Sequence, residues 1–375
     1  MRIAFFDSIP WNYNINSPWE VPLGGTQSAI CYLAAALAES GQDVFLCNQT
    51  AQRVASRGVE CIPLTEIFQG STFSDLKLDA IIVSNSGQNG RVLRDLLGDK
   101  VRIILWTGHA DDQPAINTLA DSHFRDAYDG FAFVSQWQRL AYIEKYHLDE
   151  SRCRILRNAM SPAFANLFAP DESIILAKTN PPIIAYTSTP FRGLNVLVHI
   201  FRLIRQRFPG IRLKVFSSMK IYNQTKEEDE KEFGDLYRMC RETEGIDYIG
   251  ALPQPELAAQ LRRVTLLAYP NTFPETSCIA VMEAMASGCF VVTSNLGALP
   301  ETTAGFASLI PFTDPPDQYI NHFVEQCITT IEQAHSNDST DAERLLKRQV
   351  TFCNEEYTWP SRAEEWKSWL EQLCF

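Results

Sequence analysis

Two carboxylates, Glu275 and Glu283, stand eight residues apart in a segment, Asn271 to Asn295, that carries no other charge. The rest of "NTFPETSCIAVMEAMASGCFVVTSN" is small, apolar or hydroxylic, the composition of a packed helix running into a buried strand. Core helices rarely hold an unpaired Glu, so both carboxylates call for a chemical reason. Pro274 followed by hydroxyl residues predicts a helix from Thr276 or Ser277, and Gly288 predicts its end. On that reading Glu283 lies about 12 Å along the helix from Glu275. Between them the amides of Thr276 to Ile279 form an anion cradle at the helix N-terminus. A carboxylate, an anion cradle and a second carboxylate, in that order, suit a molecule with hydroxyls at both ends and phosphates between. A sugar nucleotide has that layout. Taken singly, Glu275 reads better as a dipole-stabilising residue at a helix start, and Glu283 has the alternative reading of a residue on a wet face.

These residues must be held by elements, and the chain supplies them as alternating strands and helices. "RIAFF" (Arg2–Phe6) reads as a buried parallel strand. After a loop rich in Pro, Asn and Trp, "LGGTQSAICYLAAALAESGQDVFLC" reads as glycine turn, helix and strand, with Thr26 as N-cap and Gly41 as stop. "DAIIVS", "VRIILW" and "FAFVS" continue the pattern, and "RCRILRNAMSP" closes the first half. After the connection "FAPDESIILAKTNPP" the alternation restarts with "PIIAYTS", a helix over Arg192–Phe208, "IRLKVFS", "DYIGAL", "TLLAYP" and "FVVTSN". The acidic stretch "NQTKEEDEKEFGD" reads as an exposed loop or helix edge, and the tail as an amphipathic helix with Trp366, Trp369, Leu370 and Leu373 on its apolar side. Two successive βα-repeating halves predict two doubly wound sheets.

Composition bounds the function. The 375 residues fit two domains, and 45% hydrophobic residues allow large cores. A net charge of −12 argues against nucleic acid as a bulk partner. Ten cysteines without a CxxC pair read as reduced, buried thiols of a cytoplasmic protein. With no apolar run of transmembrane length, membrane association is expected only as peripheral contact at the inner face.

The Glu275–Glu283 spacing resembles the E-x7-E motif of retaining GT-B glycosyltransferases, in particular glycosyltransferase family 4. "PLGGTQSAICYLAAALAESGQDV", "FVSQWQ", "ILRNAMSP", "STPFRGLNVL" and "GALPE" resemble the companion motifs, in order, over nearly the whole chain. The resemblance implies the GT-B fold: two Rossmann-like doubly wound parallel-sheet domains facing a cleft, with the C-terminal helix crossing back to the first. Residues 1–170 with 358–375 would form the acceptor-side domain, and 171–357 the nucleotide-sugar domain. It implies transfer, with retention, of a hexose from a nucleotide-diphosphate sugar, UDP-linked by default, to a glycan, lipid or small-molecule hydroxyl.

Carried over by position, Glu275 touches donor-sugar hydroxyls and Glu283 the ribose, while the amides of Ser277, Cys278 and Ile279 hold the diphosphate. Gly24 and Gly25 let backbone approach phosphate, although such a pair is also a plain strand-to-helix turn. Arg192 matches the basic residue that holds the diphosphate and stabilises leaving-group charge. His109, at a strand's carboxyl end, contacts the sugar, and its main-chain carbonyl faces the reacting carbon; Asp111 and Asp112 are polar neighbours on the acceptor side. The chain departs from the pattern at Thr187, where an Arg is usual, so hydroxyls of Thr187 to Thr189 would donate in its place. The absence of a D-x-D triplet fits a site without metal or cofactor. A GT-B sugar-nucleotide epimerase and a degenerate, non-enzymatic GT-B scaffold are the alternative readings.

Overall fold

A computed structural model describes residues 1–68, 72–313, 316–336 and 339–374. Its contacts divide the chain into two units: Met1–Pro18 with Gly25–Ala159 and Trp359–Phe375, and Trp19–Gly24 with Met160–Thr358. The sequence reading set the boundary at 170 rather than after Ala159, and carried its terminal helix to Phe375, which lies outside the described residues.

The first unit is built on β1 (Arg2–Phe6), β2 (Asp43–Asn48), β3 (Val54–Ser56), β4 (Val59–Pro63), β5 (Ala80–Ser84), β6 (Arg102–Thr107), β7 (Gly130–Phe133) and β8 (Cys153–Ile155), in the order β3-β4-β2-β1-β5-β6-β7-β8. Its pairs are parallel, except that β3 folds back antiparallel on β4. The central strands are apolar on both faces, as a sheet covered on both sides requires: Ile81 to Val83 and Ile103 to Leu105 are all at 1% exposure or less. The helix Gly25–Glu39 begins one residue before Thr26, so Thr26 sits in the first turn and is not the cap. Gly41 ends that helix region at φ +88°, as read from sequence.

The C-terminal helix, Trp359–Cys374, belongs to this first unit. Trp366 is fully buried and meets Trp106 of β6 edge-on, ring centres 5.4 Å apart. Burying an aromatic of this size dominates local packing energetics. Arg102 also donates to the Leu373 carbonyl at 2.8 Å, tying the helix end to β6.

The second unit holds β9 (Ile183–Tyr186), β10 (Arg212–Val215), β11 (Ile246–Tyr248), β12 (Leu266–Tyr269), β13 (Phe290–Ser294) and β14 (Ser308–Ile310), all parallel, in the order β11-β10-β9-β12-β13-β14. The acidic stretch, read as an exposed loop or helix edge, is helical from Lys226 and belongs to the helix Lys226–Glu242. A capping box starts it: the Thr225 hydroxyl accepts from the Glu228 amide and Glu228 accepts from the Thr225 amide. The T-x-x-E spacing carried that signal. No helix among the described residues is long and apolar enough to cross a membrane.

Candidate active site

In each sheet the strand order reverses once, between β1 and β5 and between β9 and β12. Open α/β sheets bind ligands at the carboxyl ends of strands beside such a reversal. In the second unit those ends are Thr187–Arg192, after β9, and Pro270–Cys278, after β12.

These two loops carry Arg192 and Glu275, and the structure pairs them. Nη1 of Arg192 donates to both Glu275 oxygens, at 2.7 and 2.8 Å. The Tyr269 hydroxyl donates to Glu275 Oε1 at 2.5 Å. Glu275 is 3% exposed, and the Tyr269 ring ends β12 at 2%. Burial alone would lower the proton affinity of Arg192. The Glu275 carboxylate, together with Tyr269, Tyr222 and Cys278, outweighs this, and the guanidinium is held above its usual range. Its carbon also lies 4.8 Å from the centre of the Phe273 ring. Burial, and then Glu275, raise the Tyr269 phenol well above 10, so it stays a donor.

Glycine geometry holds the carboxylate loop. Arg192 closes a short 3-10 turn, Pro190–Arg192, and does not open the following helix, which begins at Leu194. The chain reverses at Gly193, φ +106°, where a Cβ would stand 2.1 Å from the Pro270 carbonyl oxygen. Gly297, φ +58°, packs so tightly on Glu275 that a Cβ would lie 2.4 Å from its carbonyl oxygen and 2.7 Å from its amide nitrogen. The next residue, Ala298, donates its amide to that carbonyl at 2.7 Å. The "GALPE" segment is therefore the back wall of Glu275.

The helix after Glu275 runs Ile279–Ala286, two to three turn positions later than its sequence predicts. Thr276 to Cys278 precede it as non-helical chain, and Cys278 caps it with extended dihedrals and no side-chain bond. The estimate of about 12 Å along a helix therefore does not describe the Glu275–Glu283 separation. Pro274 and the hydroxyl residues mark the loop rather than the first turn. Around this loop the hydroxyls of Thr187, Thr189 and Ser277 and Nε of Arg192 are buried with no hydrogen-bond partner. Unpartnered buried polar atoms are uncommon and each calls for an explanation. Here they cluster on the two loops that flank one strand-order reversal.

Glu283 is 4% exposed, not on a wet face. Its Oε1 accepts from the Ser161 amide of the "NAMSP" segment at 3.3 Å. Burial pushes its carboxyl up to about 8, only partly countered by that amide. Glu275 and Glu283 thus lie in opposite settings: one is paired with a guanidinium, the other is proton-retaining in an apolar helix.

The first unit holds His109, just past β6. Burial lowers its imidazolium below 6.5, and Nδ1 is buried without a partner. Its carbonyl is not open: Gln138 Nε2 donates to it at 2.7 Å and the Tyr142 hydroxyl at 2.9 Å. Both lone pairs of the carbonyl expected to face the reacting carbon are engaged by these donors, and the ring carries the unpartnered group. Gln138, from "FVSQWQ", also donates to the Thr107 carbonyl at 2.9 Å and accepts from the Val134 amide at 2.8 Å. Asn85, at the end of β5, accepts from the Gly108 amide at 2.8 Å. Asp111 pairs with Lys145 at 3.3 Å, while Asp112 is exposed. Gly25 opens its helix and Gly24 precedes it. Sequence reasoning missed Tyr269, Gly193, Gly297, Gln138, Tyr142 and Asn85. Only the glycines and Gln138 lay in stretches already recognised as motifs.

Residues 181–329 match the family model described as "Glycosyl transferases group 1". The chain is 24% identical over 251 residues to the alpha-maltose-1-phosphate synthase of Mycolicibacterium smegmatis, covering 64% of this chain and 62% of that protein, so it spans less than two thirds of that relative. Among solved structures it resembles the sucrose-phosphate synthase of Thermosynechococcus elongatus, with a TM-score of 0.69 and 15% identity over 99% of this chain and 98% of the other. It also resembles HepE of Anabaena in complex with UDP and glucose, with a TM-score of 0.69 and 14% identity over 99% and 100%. The family match lies within the second unit, and the chain as a whole has the GT-B fold.

Proposed function

We propose that this protein is a retaining, metal-independent glycosyltransferase that moves a hexose from a nucleotide-diphosphate sugar, UDP-linked by default, to a hydroxyl of a glycan, lipid or small molecule. The observation that carries the reading is the polar cluster at the β9 and β12 carboxyl ends. It combines a buried carboxylate, a half-buried guanidinium and unpartnered hydroxyls of Thr187, Thr189 and Ser277. A diphosphate needs cations and hydrogen-bond donors, and a hexose needs an acceptor carboxylate; this cluster has all three. The amides of Ser277, Cys278 and Ile279, at the start of the helix, suit the phosphates. Glu283, beside Ser161, suits the ribose hydroxyls.

Bond breaking leaves the electron pair on the diphosphate, where Arg192 stabilises the charge. The acceptor oxygen forms the new bond on the same face and passes its proton to the departing phosphate. His109 contacts the sugar through its ring. Gly24 and Gly25 approach the phosphates. Glu275 orients hydroxyls and is not a nucleophile.

A thermal-shift panel of UDP, GDP, ADP and their sugars tests the donor class, because a ligand of the folded state raises the melting temperature. Glu275→Ala is expected to lower turnover on the donor so identified by at least about a hundredfold; unchanged turnover would refute the assignment. The self-paired Arg192–Glu275 also favours a second reading, a scaffold without activity. No stabilisation by any of these nucleotides would support it. Conversion of the donor sugar without acceptor, followed by proton NMR, would instead indicate an epimerase.

A further inference from the structure

The Arg192–Glu275 pair poses a problem of hydrogen-bond capacity. An ionised carboxylate offers about four lone-pair positions. Three are engaged: Oε1 accepts from Tyr269 and Arg192, and Oε2 accepts from Arg192. One position is left for a sugar, whereas neighbouring hexose hydroxyls present two donors. Arg192 has the matching problem. Its charge is already neutralised by a buried carboxylate, yet its Nε is buried and unpartnered, and it stands on the loop that also holds the unpartnered Thr187 and Thr189 hydroxyls.

The Tyr269 phenol does not have to move, because it comes from the end of a buried central strand. The Glu275 main chain is clamped by Gly297 and Ala298. Arg192 is the partner with freedom. It lies in a three-residue turn, its side chain is 21% exposed against 4% for Glu275, and its neighbour Phe191 is on the surface. A diphosphate carries more charge than the carboxylate and accepts bidentately from a guanidinium.

We propose that Glu275 is an internal competitor of the donor diphosphate for Arg192: the arriving diphosphate draws the guanidinium away, and this exchange frees the carboxylate, still held by Tyr269, to accept two sugar hydroxyls. The proposal rests on the reading that this cluster binds a nucleotide-diphosphate sugar. Its consequence is a coupling of sugar recognition to diphosphate binding. Free sugar meets an occupied carboxylate; sugar attached to a diphosphate meets an open one.

The test is calorimetric titration of the full chain with inorganic pyrophosphate and with UDP, GDP and ADP, comparing wild type with Glu275→Gln. Gln keeps the shape and an oxygen for Tyr269 but loses the charge that holds Arg192. The variant should bind pyrophosphate, and the nucleoside diphosphate the wild type prefers, roughly five- to tenfold more tightly. Equal or weaker binding by the variant overturns the exchange. On an Arg192→Gln background the same Glu275→Gln change should alter affinity by less than about twofold, because the competed cation is gone. An undiminished gain there would mean plain repulsion between carboxylate and phosphate, and would also overturn it. If Glu275→Gln lacks a melting transition, Glu275→Asp replaces it; the shortened side chain weakens the pair, and tighter pyrophosphate binding is again expected, with weaker binding overturning the proposal. A wild type that binds none of the four probes removes the donor-site reading itself, and the inference with it.

Discussion

Replacing Glu283 by Gln should make the protein more stable, and increasingly so as pH rises. The carboxyl is 4% exposed, it accepts from the Ser161 amide at 3.3 Å, and burial raises it from 4.5 to about 8. Below pH 4.5 the carboxyl is protonated in both folded and unfolded chains and costs nothing. Between 4.5 and about 8 the unfolded chain gives up the proton while the folded chain keeps it, so stability falls as pH rises. The slope approaches about 1.4 kcal/mol per pH unit, which gives about 3 kcal/mol at pH 7 and about 5 above pH 8. Glutamine keeps the acceptor for Ser161 and has no proton to lose. Thermal unfolding of wild type and Glu283→Gln from pH 5 to 8.5 should show transitions that nearly coincide at the acid end. They should separate by about 6–12 °C at pH 7 for the transition of the second unit. A separation that does not change with pH, or a variant less stable than wild type at pH 8, would refute the reasoning. In the same variant donor affinity should fall if Glu283 holds the ribose as proposed: stability surrendered for binding is a common reason to bury a carboxylate.

Other consequences are equally direct. Gly297→Ala puts a methyl 2.4 Å from the Glu275 carbonyl oxygen at a φ of +58°, and should cost about 2 kcal/mol or more of stability together with nucleotide binding. Gly41→Ala, at φ +88° with open space around it, should cost about 1 kcal/mol and leave binding intact; melting curves with and without UDP separate the two. Gln138→Leu removes the donor to the Thr107 and His109 carbonyls and the acceptor of the Val134 amide. It should cost about 3 kcal/mol and accelerate amide hydrogen exchange at residues 107–110; protected exchange there would show that Tyr142 suffices.

Much of the architecture was legible because parallel strands buried on both faces announce themselves as short apolar runs. "RIAFF" is Arg2–Phe6 residue for residue, and "VRIILW" is off by one at each end. The short β3–β4 hairpin and β14 were not legible, since runs of three to five residues such as "VAS" and "SLI" carry no periodicity. The helix over Lys226–Glu242 was left undecided between loop and helix edge because its charge outweighed its cap. The terminal helix was read correctly on its apolar side: Trp366, Trp369 and Leu370 are at 5% exposure or less.

The site divides along the same line. Residue types and order along the chain are local properties; they singled out Glu275 and Glu283, and the family resemblance added Arg192 and His109. What each group does is set by neighbours distant in sequence. Arg192 and Glu275 are 83 positions apart and share one hydrogen-bonded pair; Ser161 reaches Glu283 across 122. Gln138 and Tyr142, from 29 and 33 positions away, occupy the His109 carbonyl. By itself the sequence determined a doubly wound chain with an unusual pair of carboxylates. Only the tertiary structure decided that one is paired with a guanidinium and the other keeps its proton. Ionisation depends on burial and on charges brought within a few ångströms, and folding alone sets those distances.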